Sequence, residues 1–298
     1  MIQIGIDFGG TKIEAAALDA TGRNLARTRI ANPGDYDAAI RDMRDLIAGV
    51  EASAGGVGTI GIGTPGSISP RTGLMRNSNS TYLNGRSFRK DLELALGRDV
   101  RMANDANCLA LSEVVDGAAA GARSAFAVII GTGVGGGLVI DGQIVEGANG
   151  IGGEWGHVPL PWMTAAEFPG PACWCGHHGC LDMLVSGTGL RMDYVARTGQ
   201  RLDGEAIVEA ARRGDPPAAE ALGAYVDRLG RALAMVVNIV DPEVFVMGGG
   251  MSNIAEIYAG LPAVIRAHSF GGAWDGRIVP AHWGDSSGVR GAARLWAG

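Results

Sequence analysis

Residues 4–12 read Ile-Gly-Ile-Asp-Phe-Gly-Gly-Thr-Lys, and residues 126–137 read Phe-Ala-Val-Ile-Ile-Gly-Thr-Gly-Val-Gly-Gly-Gly. Both are apolar runs of strand length that enter a glycine-rich turn and continue as a second apolar strand, over 13–18 in the first case and 138–140 in the second. Each second strand closes on an Asp and a Gly, Asp19 to Gly22 and Asp141-Gly142. A dinucleotide-binding fold places a helix directly after its glycines. Here a strand follows both times, which sets a nicotinamide-binding fold aside. The repeat instead predicts two related α/β halves, each headed by a glycine hairpin. Paired glycines let a backbone approach a phosphate closely with its amides exposed. In the first turn Asp7 stands at a strand end, within reach of a hydrated Mg2+, and Thr11 and Lys12 offer a hydroxyl and a cation. The same residues also suit an ordinary hairpin.

Of the 298 residues 47% are hydrophobic and 19% charged, the balance of a globular protein with core enough for one large domain or two ordinary ones. A net charge of −6 argues against nucleic acid as the main partner and sets no bar to a small phosphate compound held by local amides. Met1 leads straight into an apolar strand over 2–6, without a basic leader or cleavage site, and the longest apolar run, 126–140, is short and broken by glycines. The expectation is a cytoplasmic protein with no membrane span.

Ile40, Met43, Ile47 and Val50 recur at helical spacing and predict a helix over 35–53. A buried strand over 57–63 runs into Thr-Pro-Gly-Ser-Ile-Ser-Pro (64–70), a turn at a strand end, where open α/β sheets bind ligands. The loop 77–84 carries Asn77, Asn79 and Asn84, which suit a hydroxylated ligand and are equally common turn material. After a helix over 88–96 and a strand over 100–103, Asn-Asp-Ala-Asn (104–107) opens another helix. Asp105 therefore lies at a strand-to-helix junction. It is either a capping residue or a general base whose charged form the helix dipole favours. Cys108, alone on this helix, reads as an inert core thiol.

Gly-Glu-Trp-Gly-His (153–157) precedes Cys-Trp-Cys-Gly-His-His-Gly-Cys (173–180), which holds three of the four cysteines. Clustering of this kind, with no export signal, favours a metal over disulfides. Cys173, Cys175 and Cys180 with His157 complete a Cys3His zinc set. A catalytic zinc keeps one position open for water, whereas four protein ligands leave none, so the expected role is structural. His177 and His178 read as solvent-facing loop residues. Helices are expected over 190–196, 205–213 and 217–240, then a strand over 244–247 that ends in Gly248-Gly249-Gly250 ahead of a further helix. A glycine turn at a helix start suits a nucleoside phosphate. A terminal helix runs to Trp296.

Together these segments resemble the sugar kinases of the ROK family, within the actin-like ATPase (ribonuclease H-like) fold. The resemblance spans essentially the whole chain. It rests on Asp-Phe-Gly-Gly-Thr-Lys (7–12), the runs 104–107, 131–137 and 153–157, the cysteine cluster and Gly248 to Gly250. Stretches 64–70, 156–163, 186–189 and 284–293 are most similar to bacterial fructokinases of the family. The resemblance implies an α/β protein of two actin-like lobes with a zinc-bound loop, 1–117 joined by the terminal helix at about 287–298, and 118–286. It implies that ATP with Mg2+ is held by Asp7, Gly9, Gly10, Thr11, Lys12, Gly131, Thr132, Gly133, Gly248, Gly249 and Gly250. It implies that a hexose is held by Gly66, Asn79, Asn104, Glu154, His157 and Asp182, with Asp105 as the base on the acceptor hydroxyl. Zinc falls to His157, Cys173, Cys175 and Cys180, and a homodimer is implied.

The reaction favoured on this basis is phosphorylation of D-fructose to fructose 6-phosphate, with N-acetylglucosamine, mannose and glucose as the other acceptors that shared motifs allow. One departure bears on that choice. The family carries Glu two residues past the last cysteine, and here Asp182 stands one methylene shorter. A sugar-sensing regulator needs a DNA-binding domain ahead of the first glycine turn, where only six residues precede Asp7. A silent sugar binder should lack Asp105 or the phosphate turns, and both are present.

Overall fold

The leading hairpin forms from β1 (Ile2–Phe8) and β2 (Lys12–Leu18), which pair antiparallel with Asp7 opposite Glu14. The computed structural model describes residues 1–296, so 297–298 of the expected terminal segment lie outside it. β3 (Asn24–Ala31) adds to β2 antiparallel at the sheet edge. Its polarity hides it in the sequence: Arg27, Thr28 and Arg29 are exposed, and charge on an edge strand blocks unwanted pairing. Arg27 and Arg29 both pair with Glu14, which is buried in the sheet.

α1 (Tyr36–Ala54) starts on Asp35, whose side chain accepts from the Ala38 N–H at 2.9 Å, and buries Met43, Leu46, Ile47 and Val50. β4 (Gly58–Thr64) runs parallel to β1. A small hairpin of β5 (Ser67–Ile68) and β6 (Met75–Arg76) leads to α2 (Phe88–Leu96) and then to β7 (Val100–Asn104), parallel to β4. α3 (Asp105–Asp116) follows without a break. The first sheet has the order β3-β2-β1-β4-β7.

The chain then repeats the plan. β8 (Ser124–Ile130), β9 (Val134–Ile140) and β10 (Gln143–Ile144) are followed by α4 (Gly187–Thr198), α5 (Gly204–Arg212) and α6 (Pro216–Val240). β11 (Val244–Gly248), α7 (Ala255–His268), β12 (Arg277–Pro280) and α8 (Ser287–Arg294) complete it. The second sheet reads β10-β9-β8-β11-β12, matching the first position for position. The glycine turn between β8 and β9 is shorter than its sequence suggests. Gly135 to Gly137 belong to β9, because a side chain at Gly136 would strike the Trp155 and Phe126 rings. Those glycines serve close packing.

Two compact units result among the described residues, Met1–Ala125 with Gly137–Gly153 and 281–296, and Phe126–Gly136 with Glu154–Pro280. Residues 118–125, 137–153 and 281–286 thus group with the first unit, where the family resemblance placed them in the second lobe. Two packings explain it. β10 lies on α3, and the fully buried Glu113 of α3 accepts from the backbone N–H groups of Ala118, His282 and Trp283 and from the Ser287 hydroxyl, all within 2.8–3.1 Å. Arg290 and Arg294 of α8 reach Asp116 at 2.9 Å. α8 then lies directly on β1 and β4, and a side chain at Gly5 or Gly61 would collide with its backbone. No helix among the described residues is long and apolar enough to cross a membrane.

Candidate active site

Within the first unit, the register aligns Asp7 of β1 with Gly63 of β4, and Gly63 with Ala103 of β7. The carboxyl ends of three parallel strands therefore stand side by side, the place where ligands meet open α/β sheets. The hairpin turn closes by a hydrogen bond from the Gly9 N–H to the Lys12 carbonyl at 2.9 Å, and Asn32 donates to the Gly9 carbonyl at 2.7 Å. Asn79, exposed, sits over Gly10. Burial, then the neighbouring Glu14 charge, pushes the Asp7 carboxyl up, while Lys12 and Arg29 pull the other way.

Asn104 ends β7 and caps α3. It accepts from the Ala106 N–H at 2.9 Å and donates to the Gly66 carbonyl at 3.2 Å. This brings Gly66, Asn104 and Asp105 together, and Asn104 takes the capping duty itself. Asp105 is half-buried in the first turn of α3, with one carboxyl oxygen on the Ala106 N–H at 2.8 Å. Beneath them Cys108 is fully buried, and burial followed by the charges of Asp7 and Asp105 drives its thiol well up. Burial and a raised pKa both keep it from the reactive thiolate form.

Within the second unit, the turn 131–133 is held from three sides. The Gly131 N–H donates to the Gly133 carbonyl at 3.0 Å, the Gly187 N–H to the Gly131 carbonyl at 2.8 Å, and the Thr188 hydroxyl to the Thr132 carbonyl at 2.8 Å. The Val134 N–H donates to Asp182 at 2.8 Å. Gly248 ends β11, the strand beside β8, and Gly249 takes a left-handed φ of 82° against the Ile130 backbone. Both glycine turns thus sit at neighbouring strand ends. Beside them opens a cleft of about 620 Å3 lined by Gly131, Thr132, Arg191, Glu205, Val208, Gly250 and Met251 among others.

Trp155 is buried and donates its indole N–H to the Gly135 carbonyl at 2.9 Å, which fixes the short helical turn that carries His157; Glu154, just before it, is exposed. His157 Nδ1 lies 3.7 Å from Cys173 Sγ, Cys175 Sγ lies 3.6 Å from Cys180 Sγ, and the four donor atoms fall within 4.8 Å of one another. Zn–S bonds of ~2.3 Å in a tetrahedron put sulfurs roughly 3.8 Å apart, so the donor set fits zinc in type and spacing. His177 and His178 are exposed.

The motif reading passed over five residues. Glu167, in the loop ahead of the cysteines, receives Arg231 at 2.7 Å and Arg228 at 2.9 Å from α6. Arg231 was legible as a lone cation inside the apolar stripe of that helix. Arg191 and Glu205 line the cleft and carry no motif signal.

A duplicated sheet with glycine turns at its strand ends, and a strand-end carboxylate opening a helix, defines the actin-like ATPase class of α/β proteins. The chain belongs to the ROK family, which it matches over residues 3–298. It is 40% identical to an N-acetyl-D-glucosamine kinase of Photobacterium profundum, over 98% of both chains. Its fold is that of the crystal structure of a ROK hexokinase from Thermus thermophilus, with a TM-score of 0.88, 33% identity and coverage of 98% of this chain and 97% of that one. A ROK family glucokinase from Streptomyces griseus, crystallised with glucose and AMPPNP, matches with a TM-score of 0.78 and 28% identity over 99% of each chain.

Proposed function

We propose that this protein is an ATP-dependent hexose kinase in which Asp105 takes the proton from the acceptor hydroxyl. The observation that carries the reading is the placement of Asp105 beside Asn104 and Gly66 at the same row of strand ends as Asp7 and the 9–12 hairpin. Phosphoryl transfer asks a protein mainly for alignment and charge stabilisation. Asn104 and Gly66 orient the acceptor next to Asp105. Asp7 is the residue to hold the hydration shell of Mg2+, which when bound offsets charge on the transferring phosphate. The amides of the turns 131–133 and 248–250 face the nucleotide phosphates, and the cleft beside them accepts the nucleoside.

For the acceptor, the 40% identity to an N-acetyl-D-glucosamine kinase favours an N-acetylated hexosamine over the fructose that the motif stretches suggest. Fructose stays as a second reading on stretches 64–70, 156–163, 186–189 and 284–293. Zinc bound by His157, Cys173, Cys175 and Cys180 would be structural, pinning the loop that carries Glu154 and Asp182. ADP release measured across N-acetylglucosamine, N-acetylgalactosamine, glucose, mannose and fructose, ranked by kcat/KM, tests the acceptor. A hexosamine should lead, and fructose ranking first would install the second reading.

A further inference from the structure

We propose that Arg191 binds the nucleotide phosphates, an inference that rests on the cleft of the second unit being the nucleotide site. Two arginines line that cleft. Arg212 is already neutralised, by Glu209 at 2.6 Å and Glu256 at 2.8 Å, and these partners push its pKa further up. Arg191 has no carboxylate partner among the described residues. Its guanidinium instead donates to the Thr188 hydroxyl at 3.1 Å, and that hydroxyl donates to the Thr132 carbonyl at 2.8 Å.

The chain of contacts anchors a cation to the glycine turn and leaves most of its N–H donors unused. The cleft carboxylates Glu205 and Glu209 stand on α5, whereas Arg191 stands on α4, whose first residue is itself bonded to Gly131. An anion entering against the turn meets Arg191 as its uncompensated cation. The planar guanidinium fork matches phosphate oxygens in pairs, which a lysine ammonium cannot reproduce. The ligand class is therefore a nucleoside di- or triphosphate, with adenosine itself making no use of Arg191.

The test is calorimetric titration of ATP, ADP and adenosine into the wild type, Arg191→Ala, Arg191→Lys and Glu205→Trp, all checked for fold by thermal melting. Glu205 is an exposed helix position in the cleft, so the tryptophan fills the cleft without entering the core. Arg191→Ala should weaken ATP and ADP roughly 10–100-fold, the value of a charge-assisted hydrogen bond or two, and leave adenosine unchanged. Arg191→Lys should recover part of the loss, and Glu205→Trp should weaken all three ligands. Unchanged ATP binding in Arg191→Ala, with Glu205→Trp still blocking, overturns the role of Arg191 and keeps the cleft. Equal weakening of adenosine also overturns it, as a structural effect. If Glu205→Trp blocks nothing, the cleft reading falls and the proposal with it.

Discussion

The Asp182 carboxylate accepts the Val134 N–H at 2.8 Å. A side chain expected to reach a sugar is thus tied to the glycine turn proposed to hold the nucleotide phosphates, and it lies against Gly133. Asp182→Ala frees that turn and should raise the KM for ATP by about 5–10-fold, the worth of one charge-assisted bond. Asp182→Asn keeps an acceptor for the Val134 N–H and should hold the ATP KM near wild type. Steady-state kinetics on both substrates separate the roles, since a change in Asn confined to the hexose KM identifies a sugar contact.

Glu167 joins the loop ahead of the cysteines to α6 through Arg228 and Arg231. Arg231 is buried, and Glu167→Ala leaves it Asp227 as its carboxylate partner, so the lost charge-assisted bonds should cost about 1.5–3 kcal/mol. A chemical-denaturation midpoint measures it. Burial opposes ionisation of Glu167, yet bonds from Arg231, the Thr164 N–H and Arg228 hold its carboxyl down at about 2. A lowered carboxyl stabilises the fold above its ordinary range. The wild type should therefore lose this contribution as pH falls from 4.5 towards 2, and the variant should lack that part of the acid transition.

Asp7 behaves in the opposite sense. Its carboxyl is pushed up by burial and by Glu14, so the charged form opposes folding at neutral pH. Asp7→Asn should raise the melting temperature at pH 7, and the gain should vanish below pH 3.8, where Asp7 is neutral folded and unfolded alike. Activity should fall on the order of 10²-fold, as when a preorganised electrostatic group is removed. A variant more stable and less active is the signature of a functional carboxylate.

Metal content tests the loop. Protein purified without chelator should carry about one equivalent of zinc per chain. Chelation, or Cys180→Ser, should lower the melting temperature and raise the hexose KM more than the ATP KM, which shifts only as far as the Asp182 bond to Val134 is loosened. An equal rise in both would show that the metal supports the whole second unit.

The paired glycine hairpins made the fold legible, because the strand following each turn is apolar and the period is unmistakable. β3 escaped notice because an edge strand carries Arg27 and Arg29 where a central one carries valine. β12 is four residues long and ends in Pro280, too short for periodicity to register. The grouping of His157 with the three cysteines, and the place of Asp105 at a strand-to-helix junction, were legible from residue type and spacing. Arg191, Glu205 and Glu167 were not, since a charge on a helix or loop looks the same in sequence whether or not its partner lies elsewhere in the chain. The bond between Asp182 and Val134 spans 48 residues and has no local signature.

The most direct test of the account is hexose-dependent ADP release by wild type and Asp105→Asn, with sugar and nucleotide binding measured alongside. The wild type should release ADP only when a hexose is present. Asp105→Asn should bind both substrates near normally and turn over about 10²–10⁴-fold more slowly, the range of positioned base catalysis. Turnover in Asp105→Asn close to that of the wild type, or ADP release indifferent to every hexose, would contradict it.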